Sequence, residues 1–223
     1  MKRPGLAKRA LNATENCILN TLAQKQFAVP VQLAAWCGVR QQNISIALNT
    51  LDAMRLIETG AMTKPAVWRL THAGGARMRT PMPSGRRHSS WSVMQNAVHR
   101  NAAEILLAQD HLGFHFLTRL QLYKKGFNPS HGEYAGIDDK GTTWLVLIDD
   151  FMMESKRIAH HWTRMHRPPR KYWPDVGRQW SNIANKYMVF TTSAEHQERH
   201  IDFVSTTTLP VDVHYLKPLW KGL

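Results

Sequence analysis

Glu133, Asp138, Asp139, Asp149, Asp150 and Glu154 gather six of the chain's 16 acidic side chains into one stretch, with Lys156 close behind. Carboxylate oxygens are the natural ligands of hard divalent cations. A cation held there polarises a phosphate and lowers the pKa of its bound water, and a neighbouring lysine can orient or activate the nucleophile. Not every acid in the stretch suits that work. Asp138 and Asp139 fall in DDKG, between two strand-like segments, and read as turn residues. Asp149 and Asp150 alternate to opposite faces of a strand, so only one faces a site unless the strand has ended. Asp150 and Glu154 are four apart and share a face if a helix begins early.

The rest of the charge sharpens this picture. Of 223 residues, 29 are Lys or Arg and 16 are Asp or Glu, a formal net charge of +13. Residues 1–90 hold 13 basic and 3 acidic side chains, while residues 91–223 hold 16 and 13. The first half calls for a polyanion, because neutralising phosphates releases their condensed counterions. In the second half, carboxylates concentrated in a nucleic-acid binder would repel the ligand, and a divalent metal would remove that repulsion.

Other reactive residue types carry less. The 12 histidines include no His-hydrophobic-His triplet of the kind that, with a third His, holds one cation. His111, His115, His160 and His161 read as surface or packing residues, and His99 with Arg100 is placed to touch phosphate. A phenolate could attack DNA covalently, and the candidates are Tyr123, Tyr134, Tyr172, Tyr187 and Tyr215, with water as the alternative nucleophile. Cys17 and Cys37 lie in apolar helical patterns and read as buried free thiols. Arg164, Arg167, Arg170 and Lys171, flanked by Trp162 and Trp173, suit single-stranded or deformed DNA through phosphate pairing and base stacking.

The elements that must position these residues follow from periodicity. TENCILNTLAQK (14–25) puts Cys17, Ile18, Leu22 and Ala23 on one helical face, with Thr14 as N-cap. Pro30 suits the first turn of a short helix that Gly38 ends. Gln41, Gln42 and Asn43 open a longer helix through Met54, with Ile44, Leu48 and Leu51 as its inward stripe and Ile46, Ala47 and Met54 beside it. A helix, a glycine turn and a second helix make a helix-turn-helix, whose second helix enters the major groove. Leu56-Ile57-Glu58 and residues 66–70 then pair across a turn as a wing. The leading amides suit adenine edges, while Arg40, Lys64 and Arg69 suit phosphates. Residues 80–92, TPMPSGRRHSSWS, have linker composition.

Beyond the linker, 93–109 reads as an amphipathic helix. Residues 114–123, 131–138 and 142–150 read as strands, the last two forming a hairpin. Residues 151–165 and the segment around DVGRQWSNIAN read as helices, and 186–192 as a further strand. The expected fold is α+β: a winged helix-turn-helix over 1–79, a basic linker over 80–92, and an αβββαβ domain over 93–223 whose element order is that of restriction-endonuclease-like nucleases. No apolar run approaches the roughly 20 residues that span a bilayer, and no secretory signal opens the chain. The expectation is therefore a cytoplasmic protein without membrane insertion.

DDFMMESK, after a hydrophobic strand and behind a winged helix, resembles the MobC-type plasmid mobilisation relaxases and the related replication–relaxation family. That resemblance implies a restriction-endonuclease-like core using Mg²⁺ or Mn²⁺ with an Asp/Glu/Lys set. It assigns metal and catalytic roles to Glu133, Asp150 and Glu154 and a catalytic role to Lys156. The sequence departs from the pattern in two ways. Glu133 stands where a Pro-Asp is usual, and Lys156 acts from the helix, since the third strand carries no Glu/Asp-x-Lys. The implied function is nicking of one strand at a plasmid transfer origin, with a mobilisation accessory or coupling protein as a further partner. The alternative is a non-enzymatic regulator whose nuclease-like domain only binds.

Overall fold

The computed structural model describes residues 9–61, 63–80, 90–124, 132–150, 186–205 and 211–217. The fold is mixed α+β, and the chain forms two compact units that divide between Asn101 and Ala102.

In the first unit, α1 (Ala13–Lys25), α2 (Pro30–Cys37) and α3 (Gln41–Ala53) precede the hairpin β1 (Ile57–Ala61) and β2 (Val67–Leu70), then a short α4 (His72–Arg77). Asn12, rather than Thr14, caps α1. Its side chain accepts from the Glu15 N–H and the Glu15 carboxylate accepts from the Asn12 N–H, a reciprocal capping box. Gly38 ends α2 in the left-handed conformation, at φ 63°, where a side chain would be strained. Ile18, Leu19 and Leu22 of α1, Leu33 of α2, and Ile44, Leu48 and Leu51 of α3 form one buried cluster with Ile57 and Leu70.

Two expectations are corrected here. Ile46 does not lie beside the inward stripe; it is 61% exposed, because two residues beyond Ile44 the helix has turned by roughly 200°. Cys17 and Cys37 are not free thiols but a disulfide joining α1 to α2. Helix packing brings their Cα atoms to 5.8 Å, within bridging range, which their separate apolar patterns do not announce.

Helix α5 (Trp91–Asp110) begins inside the segment read as linker, residues 81–89 of which lie outside the described residues. Its first half belongs to the first unit. Met94, Ala97 and Val98 pack with Phe27, Val29 and Val67. The Asn101 amide donates to the Phe27 carbonyl (2.6 Å), and that of Gln32 donates to Val98 (2.7 Å).

The second unit takes the rest of α5, then β3 (His115–Phe116), α6 (Arg119–Lys124), β4 (Glu133–Ile137), β5 (Thr143–Asp149), β6 (Lys186–Thr191), α7 (Ala194–Ser205) and β7 (Val211–Tyr215). The strand expected over 114–123 is corrected to a two-residue strand followed by helix. Thr118 and Gln121 explain it: the Thr118 hydroxyl accepts from the Gln121 N–H, and the Gln121 side chain accepts from the Thr118 N–H. This pair of bonds is a helix start. The five strands lie in the order β3-β4-β5-β6-β7, antiparallel through β5 and parallel from β5 to β7. The β4–β5 turn is built on Asp138, which accepts from the Lys140 and Thr142 N–H groups. Odd-numbered Ala135, Leu145, Leu147, Tyr187 and Val189 pack on one face with Leu122 and Val211. Even-numbered Trp144, Val146, Ile148, Met188 and Phe190 pack on the other with Ala103, Leu107 and Phe114.

Candidate functional site

β4 runs antiparallel to β5, and β6 runs parallel to it, so the start of β4 and the ends of β5 and β6 meet at one end of the sheet. Glu133 opens β4, Asp149 closes β5, Asp150 follows it, and Thr191 closes β6; all four are buried. Glu133 is in register with Leu147. The period of two therefore puts Asp149 on the Glu133 face, as its diagonal neighbour. The strand ends at Asp149, so Asp150 is released from that alternation.

α7 completes this end. Ser193 receives the His196 N–H on its hydroxyl at the helix start. Spacing of four then brings His196 and His200 to one face of α7. His196 donates from Nδ1 to Asp149 Oδ2 at 2.8 Å, and His200 donates from Nε2 to the same oxygen at 3.0 Å. Asp149 and His200 are both 0% exposed. Because an ionised carboxylate only accepts, these contacts assign the proton of His196 to Nδ1 and that of His200 to Nε2 when the rings are neutral. The other carboxylate oxygen, Oδ1, is also buried and has no hydrogen-bond partner among the described residues. The sequence signals this cluster only as His-x-x-x-His in an amphipathic stretch, and nothing local ties it to an aspartate 47 residues earlier.

A divalent cation would need three or more such ligands. The buried Oδ1 suits a cation, and Glu133 shares its face. Among the described residues, however, no group of three or more His, Cys, Asp or Glu has the geometry to hold a metal ion. Glu154 and Lys156 lie outside the described residues, as do His160, His161, Arg164, Arg167, Arg170, Lys171, Tyr172 and the helices expected over 151–165 and around 175–185. The described acids therefore do not by themselves make a metal site.

Of the tyrosines, Tyr187 is unsuited to nucleophilic attack. It is buried, and that burial pushes its phenol up to about 12, so the phenolate is scarce at neutral pH. Tyr134 packs its ring against Phe116. Asp138 serves the turn, as its type and position predict. Burial acts to raise its pKa, but the hydrogen bonds from Thr142, Trp144 and Lys140 outweigh it, and the net direction is down.

In the first unit, Arg40 is the N-cap residue of α3 and is exposed, as are Gln41, Gln42 and Asn43. Lys64 is exposed in the hairpin turn. Arg69 is occupied: it pairs with Glu58, directly across the hairpin, through Nε at 2.8 Å and Nη2 at 2.7 Å. His99 and Arg100, read as phosphate contacts, have other work. His99 is 2% exposed, and desolvation lowers its pKa from 6.5 to about 4. Arg100 donates to the Lys25 carbonyl and the Asn101 side chain.

No family model, curated protein or solved structure matches the chain. Among the described residues, no helix is long and apolar enough to cross a membrane.

Proposed function

We propose that this protein binds and processes DNA. The first unit acts as a winged helix that docks α3 in the major groove, and the second acts as a nuclease-like relaxase that nicks one strand at a plasmid transfer origin in the cytoplasm. The observation that carries the reading is the sheet end. A β4–β5 antiparallel pair followed by a parallel β6 supports the reading of a restriction-endonuclease-like core. It gathers Glu133, Asp149 and Asp150 at the carboxyl ends of the parallel strands, the usual position of sites in such sheets.

Glu133, Asp150 and Glu154 would hold Mg²⁺ or Mn²⁺, which when bound polarises the phosphate and lowers the pKa of water. Lys156 would orient the nucleophile, and Arg167, Arg170 and Lys171 would grip the backbone near the cut. Arg40 and Lys64 would hold duplex phosphates for α3, with Arg69 joining them where its pair with Glu58 opens. A mobilisation accessory or coupling protein would be the further partner.

The test is supercoiled plasmid carrying its own transfer origin, incubated with protein and Mg²⁺ or Mn²⁺. We expect conversion to the open circle at one site, abolished by Glu133→Ala or Asp150→Ala. Binding without any loss of supercoiling under either metal would refute the enzymatic reading. It would leave the second one, a DNA-binding regulator with a nuclease-like domain. One observation favours that regulator: the described residues lack a three-ligand group, and Asp149 is already held by two histidines.

A further inference from the structure

The residue types of α3 are selective beyond its leading amides. From Gln41 to Ala53 the helix contains no Lys, Arg or His; Arg40 and Arg55 flank it. Its exposed residues are Gln41, Gln42, Asn43, Ser45, Ile46, Asn49, Asp52 and Ala53. Ser45 and Thr50 spend their hydroxyls on the carbonyls of Gln41 and Ile46, one turn back. The amides of Gln42, Asn43 and Asn49 have no hydrogen-bond partner among the described residues. These three amides stand four before, three before and three after Ile46, so they border it on one strip of the helix. At the centre of that strip Ile46 stands 61% exposed, while its neighbours Ile44, Ala47 and Leu48 are buried.

Base edges in the major groove discriminate among these side chains. Gln and Asn pair bidentately with the N6 and N7 of adenine, an apolar side chain packs on the thymine methyl, and guanine is read chiefly by Arg or Lys. The strip from Gln42 to Asn49 holds both kinds of A·T reader and neither kind of guanine reader; Asp52, whose carboxylate suits the cytosine amino group, lies beyond it, six positions from Ile46. The basic excess of residues 1–90, 13 side chains against 3, supplies charge complementarity to a polyanion from outside the strip. We propose that α3 selects A·T base pairs, with Gln42 and Asn49 on adenine edges and Ile46 against the C5-methyl group of thymine. This rests on the DNA-binding reading above and adds the class of sequence that it selects.

Three alternating duplex polymers separate the possibilities at one fixed salt concentration: poly(dA-dT), poly(dA-dU), which differs only in lacking the methyl group, and poly(dG-dC). The full chain is expected to bind poly(dA-dT) at least tenfold tighter than poly(dG-dC). It should bind poly(dA-dT) about fourfold tighter than poly(dA-dU) for each methyl group covered. Ile46→Ala, at an exposed position that leaves the core intact, should bind the dA-dT and dA-dU polymers equally while still preferring both to poly(dG-dC). Ile46→Val should keep the methyl preference, and the pair Gln42→Ala with Asn49→Ala should lose the A·T preference. Equal binding of all three polymers by the wild type would overturn this inference alone. Loss of affinity in Ile46→Ala by the same factor for dA-dT and dA-dU would do so too. Failure to bind any polymer at low salt would overturn the DNA-binding reading together with it.

Discussion

In the first unit, the side chains proposed to meet DNA stand in solvent around an aliphatic core: Arg40, Gln41, Gln42, Asn43, Ile46 and Lys64 are exposed. In the second, the candidate chemistry is inside. Glu133, Asp149, Asp150, His196 and His200 are all buried at one end of the sheet. The contrast separates two ways of carrying function. A surface reader can be altered residue by residue at little cost to stability, since exposed substitutions usually stay within about 0.5 kcal/mol. A buried polar site is part of the fold's stability, because each group left unpaired there bears its own full desolvation cost.

The strongest way to test this contrast is Asp149→Ala. It removes the acceptor of two histidine N–H groups that the fold keeps from water, and at about 1–3 kcal/mol for each donor left unpaired the expected loss is about 2–6 kcal/mol. Denaturant unfolding, with hydrogen exchange on β5 and α7 to locate the loss, would measure it. A change below 1 kcal/mol would show that the histidines find other partners and that the site is not integral to the second unit.

Next comes the buried imidazole of the first unit, an exception to the pattern drawn above. His99 has its folded pKa lowered from 6.5 to about 4, so between those values the unfolded chain binds the extra proton. Its contribution is therefore complete above pH 6.5 and is lost as pH falls from 6.5 towards 4. That contribution is about 3 kcal/mol by linkage. Unfolding free energy measured across that window should fall in the wild type and be much flatter in His99→Phe. Parallel curves would mean that His99 is not the titrating group.

The smallest effects should come from the surface. Arg40→Ala and Lys64→Ala should each change stability by no more than about 0.5 kcal/mol. Each should also weaken duplex binding uniformly across sequences and lower the slope of log K against log salt by about 1. An unchanged slope would remove that residue from the phosphate contacts.

Helices whose inward residues recur every three or four positions were legible from the chain alone. Ile44, Leu48 and Leu51 in α3 and the apolar run of β5 report their own periods, and Gly38 and the Asp138 turn mark ends that local chemistry imposes. α6 could have been read too, since Thr118 and Gln121 spell a capping box, but the alternating leucines around them suggested a strand. Asn12 outcompeted Thr14 for the same kind of reason, a reciprocal bond with Glu15. The charge asymmetry between the halves was likewise a property of the sequence.

What required the tertiary structure was every relation between distant positions. The Cys17–Cys37 disulfide depends on how α1 packs on α2. The occupation of Arg69 depends on hairpin register, and the burial of His99 on α5 lying against the first unit's own strands. Above all, the joining of Asp149 to His196 and His200 depends on a helix returning across the end of the sheet. Periodicity is a local property, set by 3.6 residues per helical turn and by alternation along a strand. Which buried carboxylate meets which imidazole is decided by strand order and register, which no short window of sequence contains.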